Sequence, residues 1–448
     1  MEILNAIEKI GSLLKAKGVN KWDIHGSESS SNGIQLFEQK ISNLEISHNL
    51  GLGIRVFVEG RPGYAWSEST RLESLQSAVN MAIANAKLSF PLEFDLPHPS
   101  LHNVDTALLP PVQKGITELA TDEMLKFCLE LEANVLDSDE RITNMPYLGA
   151  EVSEGFSVLV NSNGIMETRN WSSGSCGAGA MAKEGEQTKL GYSVDASPLW
   201  SELDVAKLSK KCTARSLELL GASSIKSGAY DILFDKRIAS QIVGMYLPSF
   251  YAESAQKGQS KLESLDRIGD VIAKSNFNLK NTAAAPDRAG SSLWDGEGMP
   301  TQDTDIIKDG KFENFLYHLE SAHKWGAKAR GNASRGGSGR VGTTVQNLEV
   351  SKGESSFAEL ASANDETLHI VKLEGSTGCS SVSGQLSIGA QGFLMKNGEV
   401  TQAVEAITLS GNFFELIKNV KGVGDKWEES FSGSKVPDLL VEGLNVSS

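Results

Sequence analysis

Two dipeptides in the second half of the chain, Asp309-Gly310 and Asn397-Gly398, constrain its fold more than any other feature. Each separates short apolar runs: Asp305-Ile306-Ile307 from Phe312, and Gly392-Phe393-Leu394-Met395 from Val400. Two-residue hairpin loops need positive φ at both central positions, which Asn, Asp and Gly tolerate best. Both sites therefore predict tight antiparallel hairpins. The surrounding texture is β with Gly-rich loops and a few helices, notably around 236–256, 318–330 and 412–420. Ser410-Gly411-Asn412 further suggests a positive φ at Gly411.

The first half reads differently. Ile3, Leu4, Ile7, Ile10, Leu13 and Leu14 follow helical spacing, and 72–88 is a second, Ala-rich helix. Residues 35–38 and 42–47 read as strands with an exposed face, and 51–58 as a more buried strand ending in a turn at 59–63. Five of the twelve prolines fall in 89–112, an irregular crossing segment. Helices near 115–137 and 201–220 then bracket strands that turn at Asn163-Gly164. The texture changes at 223–228. The expectation is an α+β protein: an N-terminal domain of mixed helices and strands over 1–225, and a β-rich C-terminal domain with a few helices over 226–448. A chain of 448 residues is also too long for one ordinary core.

No stretch approaches the ~18 consecutive apolar residues that a membrane span needs. Cys128, Cys176, Cys212 and Cys379 form no C-x-x-C pair, which argues against a ribbon-type zinc site and a disulfide framework. The N-terminus has no basic region followed by an apolar one, so a cytoplasmic protein is expected. A net charge of −15 makes nucleic acid an unfavoured partner, since its binding rests on Lys and Arg neutralising phosphates.

Familiar catalytic motifs fail. There is no G-x-S-x-G, no Walker A loop and no H-E-x-x-H. His318 and His323 are five apart, which would place them about 140° apart on an ideal helix rather than on one face. They read as surface or packing histidines. Gly337-Ser338-Gly339-Arg340-Val341-Gly342 matches G-x-G-x-x-G formally, but polar residues precede it and a strand-like Thr343-Thr344-Val345 follows, the wrong context for a dinucleotide loop. The same region carries the one basic cluster, Lys324, Lys328, Arg330, Arg335 and Arg340, which could hold an anion, a peptide C-terminus or nucleic acid, or form a solvated loop that balances an acidic surface. Asp295, Glu297 and 303–305 form an acidic run without the alternating ligands of a calcium loop; carboxylates there could serve acid–base chemistry or cap turns.

An ordered series of segments carries a family resemblance. Trp294-Asp295-Gly296-Glu297-Gly298-Met299-Pro300-Thr301 leads into Ile306-Ile307-Lys308-Asp309-Gly310-Lys311-Phe312. Gly389-Ala390-Gln391-Gly392-Phe393, Ile407-Thr408-Leu409-Ser410-Gly411-Asn412-Phe413-Phe414-Glu415-Leu416, Val423-Gly424-Asp425 and Val436-Pro437-Asp438-Leu439-Leu440-Val441 follow. With Gly51-Leu52-Gly53-Ile54-Arg55-Val56 and Gly60-Arg61-Pro62-Gly63-Tyr64 near the start, the whole chain resembles the TldD/PmbA family of metalloproteases and proposed DNA gyrase modulators.

The resemblance implies two subunit types. The TldD type carries H-E-x-x-x-H on an early helix of the C-terminal domain, with a late Cys as a further zinc ligand. The matching stretch here, 241–249, holds no His, Glu or Cys, and 427–437 holds no Cys. The chain therefore resembles the PmbA (TldE) type. The implied role is a zinc-less subunit, with no cofactor and no catalytic residue of its own, that helps a zinc-bearing TldD-type partner cleave unfolded or extended peptides. A homodimer of the isolated chain stays open. Candidate substrate- or partner-binding positions are Asp295, Glu297, Arg330, Arg335, Arg340 and Asn412. The alternatives are a stand-alone hydrolase using Asp295, Glu297 and His318 or His323, and a gyrase-associated regulator.

Overall fold

The computed structural model describes residues 2–92, 94–99, 105–336 and 339–448. The N-terminal half runs α1 (Glu2–Ala16), β1 (Lys21–Phe37), β2 (Lys40–Val58), β3 (Arg61–Ser67), α2 (Leu72–Leu88), α3 (Thr121–Leu136), β4 (Ile142–Asn161), β5 (Met166–Glu184), β6 (Gln187–Ser197) and α4 (Val205–Leu217). Its strands form one antiparallel sheet of order β3-β2-β1-β4-β5-β6.

Four of these strands are long, and alternation along them separates two chemically distinct faces. One face carries Ile24, Ile34, Leu52, Ile54, Val56, Val152, Val158, Cys176 and Ala178, all buried. At one end it is covered by Ile3, Ile7, Ile10 and Leu14 of α1 with Leu75 and Val79 of α2. At the other end Met124, Cys128, Leu131 and Val135 of α3 and Leu208 and Cys212 of α4 cover it. Gly63 allows this closure, because a Cβ there would collide with the α2 backbone at Ala82 and Ala86. The registers Ser27↔Gly51, Ser29↔Asn49, Ser31↔Ser47, Ser27↔Ser157, Ser29↔Gly155, Ser31↔Ser153 and Ser153↔Ser173 place small and polar residues on the opposite face.

The other half supplies β7 (Gly228–Phe234), α5 (Lys236–Tyr246), α6 (Ala252–Gln256), β8 (Leu279–Thr282), β9 (Thr304–Lys308), β10 (Lys311–Phe312), α7 (Leu319–Trp325), β11 (Ala333–Arg335) and β12 (Val341–Thr343). It continues with β13 (Asn347–Val350), α8 (Phe357–Ala361), β14 (Glu366–Glu374), β15 (Gln385–Lys396), β16 (Glu399–Asn412), α9 (Phe413–Lys418), β17 (Val420–Val423), β18 (Ser434–Lys435) and β19 (Leu439–Ser447). A six-stranded sheet of order β16-β15-β14-β7-β19-β17 closes on itself through β16–β19 pairing, and a five-stranded sheet, β10-β9-β8-β13-β18, lies beside it. The chain is α+β with a β-rich C-terminal part.

Both expected hairpins form. Asp309 and Gly310 take φ of 50° and 76°, and Asn397 and Gly398 take 49° and 84°. Helix α2 spans the expected 72–88, whereas the helices expected near 115–137, 201–220, 236–256, 318–330 and 412–420 are shorter or broken. The 236–256 segment breaks at a 3-10 turn, Leu247–Phe250, where Pro248 cannot donate a backbone hydrogen bond. α7 ends at Gly326 in the left-handed region (φ 63°) instead of reaching 330. β1 extends back to Lys21 through Ser27-Glu28-Ser29-Ser30-Ser31, which showed no strand pattern. Gly411 lies in β16 without positive φ; glycine is needed because a Cβ would come 2.7 Å from Leu444 Cδ2. Gly337 and Ser338 of the G-x-G-x-x-G run, and residues 93 and 100–104 of the proline-rich crossing, lie outside the described residues.

Candidate functional site

The polar sheet face meets the C-terminal half through buried charges. Asp23 on β1 and Arg55 on β2 are cross-strand partners, and both are buried. Arg55 Nε donates to Asp23 Oδ2 at 2.8 Å, and its Nη1 donates to Glu297 Oε1 at 2.5 Å. The other Asp23 oxygen accepts from Arg335 Nη1 on β11. Glu297 Oε2 accepts the Leu319 backbone N–H at 2.6 Å, at the start of α7. Burial alone would raise the Asp23 carboxyl, but Arg335 and Arg55 together hold it below its usual range. Arg55, desolvated but flanked by Asp23 and Glu297, is held firmly charged.

Asp295 organises the loop that delivers Glu297. Its Oδ1 accepts the backbone N–H groups of Glu297 (2.9 Å) and Met299 (3.0 Å), and its Oδ2 that of Ala333 (2.9 Å). Those donors favour the carboxylate, yet burial and the neighbouring Glu297 outweigh them and push its pKa up to about 7. Asp295, Glu297 and Arg335, three of the candidate binding positions, thus come together, but inside a seam rather than on a surface open to a ligand. Closed in this way, Asp295 and Glu297 do not face an open site as a hydrolase pair would.

The remaining candidates are scattered. A cleft of about 660 Å³ opens beside the seam, lined by Tyr64 and Trp66 of β3, Glu253 and Lys257, His318, Lys324 and the exposed Arg340. Trp66 is 56% exposed there, and burial raises the Tyr64 hydroxyl against the opposing pull of Arg55. Arg330 is half-buried, and its carbonyl accepts from the Gln302 N–H. Asn412 caps α9: its Oδ1 accepts from the Phe414 N–H at 3.0 Å, and its Nδ2 donates to the Ser383 carbonyl. Sequence reasoning passed over Asp23, Arg55 and Trp66. An arginine amid the apolar run 51–58 was the available signal, since a charge in a buried strand requires a partner.

Sequence models described as PmbA/TldA metallopeptidase domains match this chain: domain 1 over residues 22–86, the central domain over 114–220 and the C-terminal domain over 227–448. The chain belongs to the PmbA/TldD family. Metalloprotease PmbA of Escherichia coli O157:H7 is 25% identical over 401 residues, 87% of this chain and 84% of its own length. A metalloprotease of Methanothermobacter thermautotrophicus is 25% identical over 445 residues, 93% of this chain and 91% of its own. TldE from Thermococcus kodakarensis shares the fold with a TM-score of 0.85 at 19% identity, over 98% of this chain and 100% of its own. A Thermotoga maritima protein described as a proposed DNA gyrase modulator shares it with a TM-score of 0.86 at 23% identity, over 99% of both chains.

A metallopeptidase family implies a metal ion, and the side chains of this PmbA/TldD member can be tested for it. On α5, Ile242, Val243 and Tyr246 point into the core, and Tyr246 stacks on Phe413 with ring centres 4.4 Å apart. The other face offers Gln241, Gly244 and Met245, none of them a zinc ligand of the usual kind. His318 is buried, with Nδ1 2.9 Å from Thr343 Oγ1 and 3.2 Å from Ser321 Oγ, whereas His323 is exposed beside Phe94. Among the described residues no group of three or more His, Cys, Asp or Glu is placed to hold a metal ion. The donor set does not fit zinc.

Proposed function

We propose that this chain is the zinc-less, PmbA (TldE)-type subunit of a two-component metalloprotease, acting with a zinc-bearing TldD-type partner on unfolded or extended peptides. The observation that carries the reading is the composition of α5 and the turn after it. Where the family's zinc type bears its ligands, this chain has core-facing Ile242, Val243 and Tyr246 followed by Pro248. Hydrolysis by a metal needs ligands, an open coordination position and a base near the bound water. All of these fall to the partner, and this subunit contributes walls. Its Ser- and Gly-rich sheet face suits that task, because small hydroxyl-bearing side chains leave room for an extended backbone and offer it hydrogen bonds. The absence of any described helix long and apolar enough to cross a membrane fits a cytoplasmic complex.

The test pairs elemental analysis with peptide cleavage by the purified chain, alone and mixed with a zinc-bearing family member. Less than stoichiometric zinc, no cleavage alone and chelator-sensitive cleavage in the mixture are expected. Stoichiometric zinc together with activity in the lone chain would overturn the reading and make this subunit an enzyme in its own right.

A further inference from the structure

β6 begins to pair with β5 only at Gly174, so among the described residues β5 from Thr168 to Ser173 has β4 as its one strand neighbour. A groove of about 310 Å³ at this edge is lined by Pro110 and Pro111 and, from the C-terminal half, by Ala289 and Phe431. Arg169 and Trp171, two residues apart and hence on one face of the strand, line it. The Trp171 ring is fixed in place: it lies over Gly155, where an added Cβ would come within 2.5 Å of it.

Arg169 is the anomaly. Its side chain is half-buried, and among the described residues it has neither an ion pair nor a side-chain hydrogen bond. Desolvation, with no carboxylate to oppose it, lowers its pKa. The buried arginines elsewhere are all compensated: Arg55 by Asp23 and Glu297, Arg335 by Asp23, and Arg288 by Glu349. A guanidinium partly withdrawn from water without a counter-charge costs stability, and an incoming anion removes that cost.

We propose that this groove binds the carboxylate of an extended peptide, held by Arg169, with a neighbouring apolar residue against Trp171 and Phe431. The carboxylate comes from a chain terminus or from an Asp or Glu side chain, which present the same planar pair of oxygens. That the ligand is a peptide rests on the function proposed above; the anion site itself does not.

The experiment is titration calorimetry on the full chain alone with three probes: N-acetyl-Ala-Phe with a free carboxylate, its C-terminal amide, and the C-terminal amide of N-acetyl-Glu-Phe. At least one carboxylate probe should bind about tenfold more tightly than the neutral amide, the scale of one charged hydrogen bond. Preference for the first probe assigns a chain terminus, and preference for the third an acidic side chain. Arg169→Gln should abolish the preference while leaving the melting temperature unchanged or higher. Equal binding of all three, no binding at about 1 mM, or a preference retained in Arg169→Gln would overturn the proposal; the comparison among probes needs no variant to fold. Cleavage of the neutral amide by the mixture with a zinc-bearing partner reports separately on the proposed function, so the two can fail independently.

Discussion

Arg55 and Arg169 stand on the same face of the same sheet and are treated in opposite ways. Arg55 is completely buried and held by two carboxylates, one from the adjacent strand and one from the distant C-terminal half. Arg169 is only half-buried and has no partner among the described residues. The first arrangement is what a permanent junction requires, because every buried charge meets its opposite. The second leaves an electrostatic demand that no described residue meets, and the anion site proposed above rests on it. Burial alone therefore does not tell the two arginines apart; compensation does.

The contrast can be broken most forcefully at Asp23. Asp23→Ala leaves Arg55 and Arg335 without their shared carboxylate and should destabilise the fold by about 3–5 kcal/mol in urea unfolding. A loss below about 1 kcal/mol would mean that the seam is no tighter than a surface ion pair. At Asp295 the sign of the pH dependence is the readout. Its pKa is raised from 3.8 to about 7, so the native state binds the extra proton, and its contribution is complete below pH 4 and lost as pH rises towards 7. Asp295→Asn should flatten that part of the profile by at most about 1.4 kcal/mol per pH unit, the limit for one proton. Asp23 acts in the reverse sense: its pKa is lowered, so its contribution is present above 3.8 and lost as pH falls through the depressed value. Arg335→Met should cost less than Asp23→Ala, about 1–3 kcal/mol, because Asp23 keeps Arg55 and no cation is stranded. Smallest is Arg169→Met, which should change stability by less than about 1 kcal/mol and towards higher stability. Destabilisation by Arg169→Met comparable to that of Asp23→Ala would erase the distinction between the two arginines.

Much of the scaffold was legible because local chemistry determines it. Asp309-Gly310 and Asn397-Gly398 dictate turns irrespective of surroundings, and the Ala-rich 72–88 segment is helical by periodicity alone. The Ser-rich part of β1 was opaque, since its strand state comes from neighbours on both sides and not from β-branched side chains. The acidic run and the basic cluster were visible as charges, but not as complements of each other through Asp23 and Arg55. Arg169 gave no signal at all. A lone arginine in Thr168-Arg169-Asn170 reads as surface until the proline segment and Phe431 are seen to shelter it.

The closed C-terminal sheet has a consequence for the order of synthesis. β7, the first strand of that half, pairs with β14 and with β19, so Gly228 waits for Val446 and Phe234 for Leu439. The N-terminal sheet, joined mostly by hairpins between successive strands, can assemble while the ribosome is still making the rest. The other half remains an open ring with unsatisfied strand edges until residues 439–447 emerge, and through that interval the nascent chain is exposed to aggregation and to chaperones.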